Sequence, residues 1–119
     1  MGVKILIVDD SNFMKNIIKG KLKKYNITDI EYASNGLEAV EKYKKNKYDF
    51  VTMDITMDKM SGLDALKEIR AYDPNAKVIM CSAMGQSGLV LEAIKYGAID
   101  FVVKPFTDEK VEEIINRFK

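Results

Sequence analysis

Five short apolar runs punctuate this chain, and each is followed by a segment whose apolar residues repeat at helical spacing. They are Lys4–Val8, Ile30–Ala33, Tyr48–Asp54, Lys77–Cys81 and Phe101–Val103, the second being the weakest. A run such as Ile5-Leu6-Ile7-Val8 lacks the alternation of a half-exposed strand, so it reads as a strand covered on both faces. Strand and helix in alternation imply one parallel sheet with helices on both sides. The expected fold is α/β, a doubly wound (βα)5 sheet of five parallel strands. A length of 119 residues suits one substantial core, so residues 1–119 are expected to form a single domain.

The helical segments carry their own start and stop signals. Ser11 is placed to cap the first, where Phe13/Ile17, Met14/Ile18 and Ile18/Leu22 pair at i,i+4 and Asn26 marks the end. Lys15, Lys19, Lys21, Lys23 and Lys24 fall mostly on the other face, as a solvated surface. Asn35 with Glu38 matches a capping box ahead of Leu37, Val40 and Tyr43. The basic cluster Lys42, Lys44, Lys45 and Lys47 suits the negative end of that helix. Ser61 precedes a helix with Leu63, Leu66 and Ile69 on its buried side, and Asp73-Pro74-Asn75 marks the turn after it. Gly97 reads as a C-cap and Thr107 as the cap of the last helix, which turns Val111, Ile114, Ile115 and Phe118 inward.

Composition removes several functions. Lys+Arg 19 against Asp+Glu 18 leaves a net charge of +1, so no basic field argues for nucleic acid. With no histidine, imidazole catalysis and imidazole metal ligation are excluded, and any phosphohistidine must sit on a partner. The single cysteine, Cys81, lies inside an apolar run and reads as a small buried hydrophobe. No apolar stretch reaches the length of a membrane span and no signal-peptide pattern opens the chain, so a cytoplasmic location is expected.

What remains is the way the runs end. Four stop on chemically able residues: Asp9-Asp10, Asp54, Ser82 and Lys104. In an open parallel α/β sheet, ligands bind outside the carboxyl ends of the strands. Gathered there, three carboxylates against one ammonium leave two negative charges in excess. A divalent cation relieves that repulsion, and oxygen donors without histidine or cysteine point to Mg2+. One carboxylate could then act as nucleophile toward a phosphoryl group, with Lys104 and Ser82 on its oxygens. Asp54 is the expected nucleophile, because it stands alone on a central strand while Asp9-Asp10 looks like a metal-binding pair.

Taken together, ILIVDD, VTMDITMDKMSG, VIMCSA and FVVKPF resemble the receiver domain of bacterial and archaeal two-component response regulators, in its stand-alone chemotaxis branch. The resemblance spans essentially the whole chain. It implies a flavodoxin-like strand order of 2-1-3-4-5 and magnesium-dependent phosphorylation of Asp54 by a CheA-type histidine kinase. It makes Asp10 the direct metal ligand, has Asp9 act mainly through water, and gives the Thr56 backbone carbonyl to the metal. Ser82 matches the switch hydroxyl and Lys104 the family lysine, followed by a cis peptide to Pro105. Phosphate would draw Ser82 over, let Phe101 turn inward, and reshape the surface of the fourth helix, fifth strand and fifth helix. The implied partners are a flagellar or archaellar motor switch protein or its adaptor and a phosphatase. The chain would act as a monomeric phosphoacceptor, not as an enzyme, beyond slow self-dephosphorylation.

Three positions depart from the family's habit. Phe101 stands where tyrosine is common, so ring burial can switch but a phenolic hydrogen bond cannot. Asp58 takes a place often held by proline, and Thr56 and Met84 offer no acid or amide along the path of attacking water. Slow loss of phosphate is the expectation. Three other readings share some of these features. A phosphorelay intermediate would pass its phosphoryl group on to another histidine. An aspartate-nucleophile phosphatase of the haloacid dehalogenase type wants Asp-x-Asp, and position 56 is Thr. A flavodoxin-like nucleotide binder would meet repulsion from the strand-end carboxylates.

Overall fold

A computed structural model describes residues 3–55, 60–82, 87–104 and 107–118. The elements alternate without exception: β1 (Lys4–Val8), α1 (Asn12–Lys23), β2 (Asp29–Ala33), α2 (Gly36–Lys45), β3 (Phe50–Asp54), α3 (Gly62–Tyr72), β4 (Val78–Ser82), α4 (Ser87–Lys95), β5 (Asp100–Val103) and α5 (Asp108–Phe118). All strand pairs are parallel and the sheet order is β2-β1-β3-β4-β5. Both the fold class and the order expected from the motifs are therefore present.

Side chains on a strand point alternately to its two faces, and the core divides accordingly. Leu6, Val8, Val51, Met53, Val78 and Met80 meet α2, α3 and α4 through Val40, Tyr43, Leu66, Ile69 and Ala93. Ile5, Ile7, Phe50, Ile79, Cys81 and Val102 meet α1 and α5 through Ile18, Leu22, Val111, Ile114 and Ile115. Neighbouring residues of β1 thus serve opposite layers, which explains why that strand is apolar without a break.

The caps lie where expected. Ser11 Oγ accepts from Met14 N at 3.3 Å, Ser61 Oγ from Asp64 N at 3.2 Å and Thr107 Oγ1 from Lys110 N at 3.1 Å. Asn35 Oδ1 accepts from Glu38 N at 2.8 Å, but the Glu38 carboxylate reaches past Asn35 to Ser34 N. Gly97, at φ +99°, ends the turn after α4 where a side chain would strike Arg70.

The helix faces depart from the periodic reading in four places. Phe13 and Leu37 are exposed, because α1 and α2 turn Ile18, Leu22, Ala39, Val40 and Tyr43 to the sheet instead. The first helix stops at Lys23, and Asn26 closes the turn beyond it in the left-handed region at φ 63°. Lys15, expected on a solvated face, is only 8% exposed. No described helix is long and apolar enough to cross a membrane.

Candidate functional site

Strand register levels the reactive residues along one rim. Val8 pairs with Met53, Asp54 with Cys81, and Ser82 with Val103, so Asp9, Asp54, Ser82 and Lys104 all emerge at the carboxyl end of the sheet. Backbone hydrogen bonds continue past the strands: Asp9 N donates to Ala33 O at 3.1 Å, Ile55 N to Cys81 O at 2.9 Å and Lys104 N to Ser82 O at 2.8 Å. The rim is rigid because it is still sheet.

Gly62 completes that rigidity. Its N–H donates to Ile55 O at 2.9 Å, and a Cβ there would collide with the carbonyl of Asp54 and the backbone of Ile55. The start of α3 is therefore pressed against the end of β3, a closeness only glycine permits. In the sequence Gly62 reads only as the opening of a helix, not as a close backbone contact. Its signal was a glycine directly after the Ser61 cap, behind the loop that follows Asp54.

The side chains converge. Lys104 Nζ lies 3.0 Å from Asp9 Oδ2 and 3.3 Å from Asp54 Oδ1. Asp9 also accepts from Ser11 N at 2.9 Å, so the residue after the acid pair fixes the first acid while capping α1. Asp9 is 1% and Asp54 6% exposed, whereas Asp10 is open to solvent. One oxygen from each of Asp9, Asp10 and Asp54 lies within 4.8 Å of the others. Burial first, and then the charges of Asp9 and Asp10, push the Asp54 carboxyl above its ordinary value, although Lys104 opposes them. Burial pulls on Lys104 in the opposite sense, but its contacts with Asp9 and Asp54 together outweigh it and raise the ammonium.

Such a donor set fits Mg2+. It offers only hard oxygens, two of the three carboxylates are buried, and one lysine leaves their charge uncancelled. Ser82 is buried at the end of β4 on the same rim. Phe101 is half-buried against the α2–α3–α4 layer. Thr56, Asp58, Met84 and Pro105 lie outside the described residues. Of the expected site, then, Asp9, Asp10, Asp54 and Lys104 form one cluster, and Ser82 ends the neighbouring strand.

Residues 5–116 match the response regulator receiver domain. The chain is 56% identical to the chemotaxis protein CheY of Thermotoga maritima over 117 residues, 98% of each chain. It is 53% identical to the CheY of Bacillus subtilis, again over 98% of each chain. Among solved structures, the CheX–CheY–BeF3–Mg2+ complex of Borrelia burgdorferi contains a chain that superimposes with a TM-score of 0.91 at 40% identity. That match covers 98% of this chain and 90% of the other.

Proposed function

This chain belongs to the response regulator receiver domain family, in its CheY-like chemotaxis branch, and from that membership we propose that it is a phosphorylation-switched signalling protein with Asp54 as acceptor. The observation that carries the reading is the Asp9–Lys104–Asp54 contact, in which two buried carboxylates share one lysine at the rim of a rigid sheet.

The donor is a phosphohistidine of a CheA-type kinase. An Asp54 carboxylate oxygen attacks phosphorus, a P–O bond forms, the P–N bond breaks, and the imidazole departs with that electron pair. Asp54 is suited to this because β3 holds it at the rim with Lys104 against its carboxylate. Lys104 moves its charge from the carboxylate to a phosphoryl oxygen as negative charge gathers there, and Ser82 supplies a hydroxyl to another. Asp9 keeps Lys104 aimed throughout. Asp10, Asp9, Asp54 and the Thr56 carbonyl would hold Mg2+, which supplies charge neutralisation for the incoming phosphoryl group.

Occupancy of Asp54 then biases two states of the far face. Ser82 is drawn toward the phosphoryl group, Phe101 turns inward, and the α4–β5–α5 surface changes for a motor switch protein or adaptor. Exposed Leu91, Ile94 and Val103 on that side support an output surface there. The setting is the cytoplasm, the working form a monomer, and a phosphatase resets the switch. The test is transfer from a radiolabelled CheA-type kinase with Mg2+. Label should pass to the wild type and not to Asp54→Asn; equal labelling of both proteins defeats the proposal.

A further inference from the structure

α1 holds one lysine unlike its others. Lys15 is 8% exposed, and its ammonium donates to Ser34 Oγ at 2.7 Å, a hydroxyl on an exposed residue past the end of β2. Among the described residues no carboxylate lies within 4.0 Å of that ammonium, whereas Lys4, Lys21, Lys24, Lys104 and Lys110 all have one. A hydroxyl engages one of the three ammonium protons and brings no charge. An ammonium whose one neighbour is a neutral hydroxyl has donors and charge left for an anion.

A groove opens beside it. Its walls are Lys15 with Asn12 and Asn16 of α1 and Tyr32 of β2, and it encloses about 390 Å3. That is the size of a small-molecule site. Its lining includes two amides, a phenol and an ammonium, all able to donate, and none of the four residues is an acid. The Glu38 carboxylate, at the start of α2, accepts from Ser34 N.

We propose that this groove between α1 and the end of β2 binds a small oxyanion, a phosphate- or carboxylate-headed compound, through the Lys15 ammonium. The site is separate from the acceptor rim and uses none of its side chains. It adjoins that rim through the backbone, since Ala33, next to Ser34, accepts the hydrogen bond from Asp9 N. An anion here is thus placed to stiffen the β1–β2 seam that carries the acid pair.

The test uses the whole, metal-free protein, titrated with sodium phosphate and separately with sodium acetate, each against sodium chloride at equal ionic strength. Amide spectra report the site. Saturable shifts of the Asn12 and Asn16 side-chain amides and of Ser34 are expected with at least one of the two anions, and which one responds identifies the head group. Lys15→Met should weaken binding by about tenfold or more, the loss of one charge-assisted hydrogen bond, and Lys15→Arg should restore it. Asp54→Asn should leave it intact while abolishing phosphorylation, so the two proposals fail separately. Shifts that grow without saturating, that survive Lys15→Met, or that disappear in Lys104→Met overturn the assignment.

Discussion

β3 and β4 are buried at every residue, whereas β5, at the edge of the sheet, is buried only at Val102. The helix beside that edge, α4, leaves Leu91 73% and Ile94 56% exposed, while α3 against the centre buries Ala65, Leu66 and Ile69. The two regions have different tasks in the same sheet. The centre must hold Asp54 and Asp9 at fixed distances from Lys104, and dense packing on both faces does that. An edge with apolar surface left over has less to lose by rearranging and more to offer a partner.

Substitutions can break or sharpen that contrast. The largest effect belongs to the centre: Leu66→Ala should cost about 3 kcal/mol in denaturant unfolding, within the usual span for a filled core site. Next is Gly62→Ala, which forces a methyl group onto the Asp54 carbonyl and should cost about 2 kcal/mol. Because the strain falls at the acceptor, it should also slow phosphorylation more than Leu66→Ala does, as single-turnover labelling would reveal.

Tyr43→Phe deletes the 2.8 Å bond to Asp73 that ties α2 to the end of α3, and should cost about 1 kcal/mol at neutral pH. The Tyr43 hydroxyl, followed by the backbone N–H of Asn75, holds the Asp73 carboxyl below its ordinary value. Its stabilising contribution is therefore present above the ordinary carboxylate range and disappears as pH falls through the lowered value. The difference between wild type and Tyr43→Phe should close in acid; a gap that persists there contradicts the charge-assisted bond.

Asp54 has the opposite sign. Its carboxyl is raised, mainly by burial, so the ionised form works against the fold. That penalty is absent below the ordinary carboxylate range and grows as pH rises through the raised value. Without metal, Asp54→Asn should stabilise the protein by about 1 kcal/mol at neutral pH, and the gain should shrink in acid. Smallest of all, Leu91→Ala on the open edge should stay within about 0.5 kcal/mol in stability. A loss as large as that of Leu66→Ala would erase the distinction between the two regions.

The rim was legible in the sequence because each strand is a short apolar run with an abrupt polar end, and a parallel sheet puts all such ends together. Cap residues were legible for a similar reason, since Ser11, Asn35, Ser61 and Thr107 act within one turn of themselves. What periodicity missed depends on distant neighbours. Phe13 and Leu37 fit an apolar stripe yet lie outside the helix–sheet contact, and Lys15 fits a polar stripe yet meets the end of β2. Gly62 reads as a helix start, but its packing role is contact with a carbonyl from the preceding strand, which leaves no pattern in side-chain type.

All of this rests on Asp54 being the place where phosphorus is bound, with the acid pair serving a metal. Incubation of the protein with acetyl phosphate, with Mg2+ or with chelator, followed by peptide mass mapping, tests it most directly. The expected result is one phosphoryl group on the peptide of Asp54, in the Mg2+ sample alone. Label on Asp9 or Asp10, or label on Asp54 that persists in chelator, would contradict it.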